Sequence, residues 1–111
     1  MKPLELAYQY MDYFYGEGPI DAMKDLLTEP FTFKGPFYEF DGAEAYIASL
    51  KADPPKDMDY DIMQAYENET SACLVYQFSK EGVSTAMSQT FEVTNGKISR
   101  ILLVFDSGAF G

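Results

Sequence analysis

Residues Phe31 to Leu50, FTFKGPFYEFDGAEAYIASL, decide the fold. Phe31, Phe33 and Gly35 alternate with Thr32 and Lys34, the period-2 pattern of a strand with one buried face. Gly35-Pro36 interrupts the ladder, and a second short strand leads into a helix. Asp41 stands where an N-cap belongs, and Glu44 three residues on can reach back to its N–H in the manner of a capping box. Ala43, Tyr46, Ile47 and Leu50 supply the helix's apolar stripe. The stretch is aromatic throughout, so it needs cover on both sides and must sit between other elements.

Upstream the pattern is helical. Pro3 suits a first helical position, and Leu4, Ala7, Tyr8, Met11, Phe14 and Tyr15 recur on one face at 3.6-residue spacing. A second stripe, Leu6, Tyr10 and Tyr13, lies on the far side, with Glu5, Gln9 and Asp12 in a polar gap. Gly16-Glu17-Gly18 breaks this helix. Pro19 restarts one with Ile20, Met23 and Leu27 on a shared face, and Glu29-Pro30 stops it. Downstream, Ala52 to Asp57 with its two prolines is the one linker of length, and it separates a helical half from a β half.

The β half reads as four strands: Met58 to Tyr66, Ser71 to Lys80, Val83 to Thr94 and Lys97 to Phe105. Tight turns at Asn68-Glu69, Glu81-Gly82 and Asn95-Gly96 divide them, the last a strong hairpin signal, so the strands form an antiparallel meander. Alternation places Leu74, Tyr76, Phe78, Met87, Gln89, Phe91, Ile101, Leu103 and Phe105 on one large aromatic face. Cys73, Val75, Gln77, Ala86, Ser88, Thr90, Glu92, Leu102 and Val104 share the smaller, more polar opposite face. Helices laid before strands on one side of a curved antiparallel sheet make the fold α+β, a single domain over residues 1–111.

Composition narrows the function classes. With 18 acidic and 8 basic residues the net charge is −10, which opposes the counterion-releasing contacts that nucleic acids and anionic membranes require. There is no histidine and one cysteine, so the usual zinc and iron ligands are missing and no cofactor or metal is expected. Asp57, Asp59 and Asp61 resemble the start of a calcium loop, yet Ile62 stands where that loop needs Gly and Asn68 where it needs a bidentate Glu. Cys73 has no basic neighbour in sequence to activate it. No run is long and apolar enough for a membrane helix, the N-terminus lacks a signal-peptide pattern, and the expected location is cytoplasmic.

The tyrosine-rich first helix, G-E-G-P-I-D-A-M, F-T-F-K-G-P-F, D-G-A-E-A-Y-I and F-E-V-T-N-G-K-I-S-R-I together resemble the nuclear transport factor 2-like superfamily. That superfamily includes ketosteroid isomerases and polyketide cyclases. The resemblance covers nearly the whole chain and implies a cone-shaped, cystatin-like α+β roll in which helices close over a concave sheet and leave a cavity. It implies a pocket lined by Tyr8, Met11, Tyr15, Phe33, Gly35, Tyr76, Phe78, Met87, Gln89, Phe91, Leu103 and Phe105. Ketosteroid isomerases work with a carboxylate base opposite a tyrosine and a protonated acid. The resemblance puts Gly35 at the base, Met11 at the tyrosine and Gln89 at the acid, so none of the three ionisable groups is kept, and isomerase or cyclase chemistry loses its proton acceptor.

Two functional expectations follow. One is a pocket protein for an apolar or aromatic small molecule, held by Gln89 and tyrosine hydroxyls. The other is a non-catalytic accessory module whose cavity its own side chains fill. In both, Val75, Ala86, Thr90, Leu102 and Val104 on the outer sheet face suit a homodimer contact.

Overall fold

In the computed structural model, which describes residues 1–16 and 19–110, three helices pack on one face of a curved, unclosed six-stranded sheet. The helices are α1 (Pro3–Phe14), α2 (Ile20–Met23, running on as a 3-10 turn over Lys24–Leu26) and α3 (Ala43–Ala52). The strands are β1 (Leu27–Lys34), β2 (Glu39–Asp41), β3 (Met58–Glu67), β4 (Ser71–Lys80), β5 (Val83–Thr94) and β6 (Lys97–Phe105). They lie side by side in the order β2-β1-β6-β5-β4-β3.

β3 to β6 form the expected meander, and all three of their pairings are antiparallel. Asn95 (φ 52) and Gly96 (φ 79) turn the last hairpin with both residues in the left-handed region. The sheet as a whole is mixed, not antiparallel as expected, because β1 runs parallel to β6, with Phe33 beside Ile101 and Lys34 beside Leu102. Two short N-terminal strands cannot announce their direction by themselves. The long connection through the meander returns β6 alongside β1 in the same sense.

Two local readings are corrected. Leu27 was expected on the α2 face, but it opens β1 and pairs with Ile98, since a buried strand partner outweighs a short helix's propensity. Asp41 does not cap α3: it ends β2 opposite Thr32, and Gly42, at φ 117, occupies the N-cap without a side-chain bond. Glycine alone adopts that φ without strain, and its N–H donates to the Phe31 carbonyl at 2.6 Å, fixing α3 against β1. Glu17 and Gly18, the rest of the expected break after α1, lie outside the described residues.

α1 begins at Pro3, where Glu5 accepts the Lys2 backbone N–H at 3.0 Å. Its buried residues are Pro3, Leu6, Ala7, Tyr10 and Met11. The two stripes seen in the sequence are therefore the halves of one broad apolar arc facing the sheet, and Tyr8 falls off its edge at 39% exposure. The Leu4 N–H donates to Glu67 at 3.1 Å and ties the start of α1 to the far end of β3. The core lies between helices and sheet. Met11, Phe31, Leu74, Phe91, Ile98 and Ile101 are wholly buried there. On the other face of the sheet Val104 is 54% exposed.

Candidate functional site

Gln89 sits at the centre of the concave face, on β5 between Leu74 of β4 and Leu103 of β6. It is 3% exposed and is the sole buried polar residue among the described residues. A buried amide must be satisfied, and the Tyr76 hydroxyl donates to Gln89 Oε1 at 2.9 Å. Tyr76 is the next inward residue along β4, one pleat from Leu74. Across the core, Tyr10 from α1 and Tyr46 from α3 hydrogen-bond through their hydroxyls.

Gln89, Tyr76 and Tyr10 border a cavity of about 90 Å³. Tyr10, Phe14 and Tyr15 of α1 and its C-cap roof it, and Phe33, Met58 and Leu103 close its sides. Tyr76, Phe78, Met87 and Gln89 form its floor. Tyr15 packs on Tyr60 with ring centroids 4.4 Å apart and meets Tyr76 edge-on at 6.5 Å, so the end of α1 is held over the cavity by aromatic contacts.

Among the described residues, none that lines this cavity is charged. Burial pushes the phenols of Tyr10, Tyr15, Tyr46 and Tyr76 above the ordinary tyrosine range, although hydrogen bonds from Tyr10 to Tyr46 and between Tyr15 and Tyr76 work against the rise at Tyr46 and Tyr76. For Tyr10 the Gln89 amide works in the opposite direction without reversing the effect. All four therefore remain neutral at physiological pH. The cavity can donate and accept hydrogen bonds, but among the described residues that line it there is no carboxylate or imidazole to take a proton in turnover.

Seven of the expected lining residues surround this space: Tyr15, Phe33, Tyr76, Phe78, Met87, Gln89 and Leu103. Five do not. Tyr8 is at the surface, because it lies at the edge of the α1 arc. Met11 and Phe91 are buried elsewhere in the core, Phe91 packed edge-on against Tyr10 at 5.3 Å. Phe105 is beyond the cavity, against Phe37 at 5.4 Å. Gly35 leaves the wall to its neighbours: a Cβ there would come within 3.3 Å of the Phe33 ring and 3.6 Å of Leu103 Cβ.

Tyr10, Phe14 and Met58 line the cavity without having been expected to. Treating the two α1 stripes as one arc would have found the first two, and inward alternation with Tyr60 would have found Met58. Lys34 pairs with Glu39 at 3.7 Å and both are exposed. Asp59 and Asp61 are exposed, opposite Ser79 and Gln77 on the outer face. The half-buried Cys73 faces the Ser88 hydroxyl at 3.5 Å.

A wider hollow of about 630 Å³ lies between the Lys24–Glu29 segment and the β5–β6 hairpin. It is an open surface groove in which Lys24 and Lys97 mingle with Asp25 and Glu29. The small enclosed cavity is the better site on chemical grounds, because it is apolar with one convergent polar cluster.

The SnoaL-like domain profile matches residues 7–101. Among solved structures, an NTF2-like protein of unknown function from Cytophaga hutchinsonii is 24% identical, with a TM-score of 0.83 over 99% of this chain and 95% of that one. A putative ketosteroid isomerase from Kribbella flavida is 19% identical, with a TM-score of 0.81 over 95% of this chain and 78% of its own. A putative SnoaL-like polyketide cyclase from Shewanella putrefaciens is 13% identical, with a TM-score of 0.82 over 96% and 80%. At these identities the structural likeness establishes the fold. No curated protein matches the sequence.

Proposed function

This chain belongs to the SnoaL-like domain family, within the nuclear transport factor 2-like superfamily, and from that membership we propose that it binds a small, neutral, apolar or aromatic molecule. The observation that carries the reading is Gln89, one buried amide at the centre of an otherwise aromatic and aliphatic cavity. An apolar ligand would displace water from the walls, and a single hydrogen-bonding group on it would be oriented by the Gln89 amide and the neighbouring tyrosine hydroxyls. Charged ligands are disfavoured, since none of the described lining residues carries an opposite charge to offset their desolvation.

Any turnover would depend on desolvation and neutral hydrogen bonds. The position that resembles the ketosteroid isomerases' base is Gly35, and a Cβ there would press on the Phe33 ring at 3.3 Å. A thermal-shift screen of neutral ketones, phenols and polycyclic compounds tests the proposal. Stabilisation by members of that set and none by matched carboxylates supports it, and no stabilisation by any apolar compound refutes it.

One observation favours the second reading, an accessory module. The cavity of about 90 Å³ is smaller than the roughly 150 Å³ that houses benzene in an engineered core, so side chains fill most of the cone. On that reading function lies on the outer sheet face, where Val75, Ala86, Thr90, Leu102 and Val104 would pair two copies. Homodimerisation and the cytoplasmic location expected from the sequence are parts of the proposal under both readings.

A further inference from the structure

The small size of the cavity has a visible cause next to it. After β6 the chain makes a 3-10 turn, Ser107–Phe110, whose last residue returns to the sheet. The Phe110 ring sits among three others: Phe105 at 5.1 Å, Phe37 at 5.5 Å and Phe78 at 5.8 Å between centroids. Phe78 also lines the Gln89 cavity. Phe105 is the next inward residue after Leu103 on β6 and pairs with Met87, and both Leu103 and Met87 are cavity walls. The Phe110 box is thus a continuation of the cavity along the same concave surface.

That ring is the turn's aromatic anchor, and the turn also rests against β5. The turn's hydrogen bonds are internal: Gly108 N–H to Asp106 Oδ1 at 2.9 Å and Ala109 N–H to the Asp106 carbonyl at 3.1 Å. Among the described residues no hydrogen bond ties Ser107–Phe110 to the helices or to another strand. Phe37, on the outer side of the box, is 51% exposed. The turn can therefore swing out as a unit at the loss of one set of ring contacts and of its rest against β5, without orphaning a backbone group in the core.

We propose that the box of Phe37, Phe78 and Phe105 is a second subsite for an aromatic ring of the ligand, which Phe110 occupies as an internal stand-in until ligand displaces it. The inference rests on the pocket reading above and extends it. The ligand class becomes a fused or linked bicyclic aromatic, with one ring in the box and the rest reaching past Phe78 toward Gln89. Because Phe110 competes for the box, apparent affinity in the intact chain is reduced by the fraction of molecules whose box is empty.

2-Naphthol, neutral and fluorescent, is a suitable probe. Phe110→Ala should bind it about tenfold or more tightly than the wild type, and adding Phe37→Ala should remove that gain. In the wild type, saturating 2-naphthol should move the backbone amide resonances of residues 107–110 toward random-coil values. That second readout decides the matter if Phe110→Ala does not fold. Should the wild type bind 2-naphthol while Phe110→Ala binds no better and residues 107–110 stay unmoved, the subsite is refuted and the pocket reading stands. If neither protein binds 2-naphthol, the subsite falls. The pocket reading falls with it if the neutral-compound screen also yields no ligand.

Discussion

The Tyr76–Gln89 hydrogen bond can be weighed by a double-mutant cycle. Gln89→Leu removes the acceptor of a bond of 2.9 Å at a position 3% exposed, leaving the Tyr76 hydroxyl with Tyr15 as its neighbour but without that acceptor. An orphaned buried donor costs about 1–3 kcal/mol, offset in part by the apolar gain of leucine, so a net loss of about 2 kcal/mol is expected. Tyr76→Phe leaves Gln89 Oε1 without its donor and should cost about 1 kcal/mol. Replacing both removes the pair together, and the double variant should lie within about 1 kcal/mol of the wild type. The coupling energy is then about 2 kcal/mol. A water in the cavity of about 90 Å³ could take the orphaned proton and lower the coupling to about 1 kcal/mol. Urea unfolding followed by far-ultraviolet circular dichroism, with unchanged m-values, measures all four corners. Single effects that add to within about 0.3 kcal/mol would show that the bond is not a coupled buried pair.

Three further outcomes follow from the same structure. The folded-state pKa values of Tyr10, Tyr15, Tyr46 and Tyr76 are raised, so their contribution to stability is complete below the unfolded tyrosine pKa of about 10 and is lost as pH rises above it, by up to about 1.4 kcal/mol per unit for each. Absorbance at the tyrosinate band should show a late step, worth four phenols, coincident with loss of circular dichroism; their ionisation in a folded protein near pH 10 would contradict it. Gly42→Ala places a Cβ at φ 117 and should cost about 1–2 kcal/mol in thermal or urea unfolding, whereas an unchanged midpoint would mean that α3 does not need that conformation. Light scattering at micromolar concentration should give a dimer mass that Val104→Asp, on the exposed outer face, reduces to a monomer; a monomeric wild type removes the proposed contact.

The β half was the more legible part of the chain. Period-2 alternation bounded by Asn-Gly and Glu-Gly turns gave β4, β5 and β6 their observed ends, and Gln89 its place on the inner face, because long strands repeat their signal many times. The N-terminal half was harder, since its elements are short and decided by distant partners. Leu27 has a helical position in its own neighbourhood, and only Ile98, far along the chain, makes it a strand residue. Asp41 has the right spacing for a cap, yet its pairing with Thr32 moved the helix start past Gly42.

In the cavity, strand residues were placed better than helix residues. A strand residue faces one side or the other, whereas Tyr8 and Tyr10 differ by 200° around α1 and both look apolar enough to face inward. The Phe110 contact had no signal in the sequence, because a short turn shows neither period.

On the proposed reading, Gln89 is the polar contact of an apolar ligand site. Titrating the isotopically labelled protein with a neutral bicyclic ketone such as 1-tetralone, while observing the Gln89 side-chain amide signal by nuclear magnetic resonance, tests it most directly. A saturable shift of that signal, with the Val75, Ala86 and Val104 amides on the outer face unmoved, is the result the account predicts. No shift at Gln89 up to solubility, or shifts confined to the outer face, would contradict it.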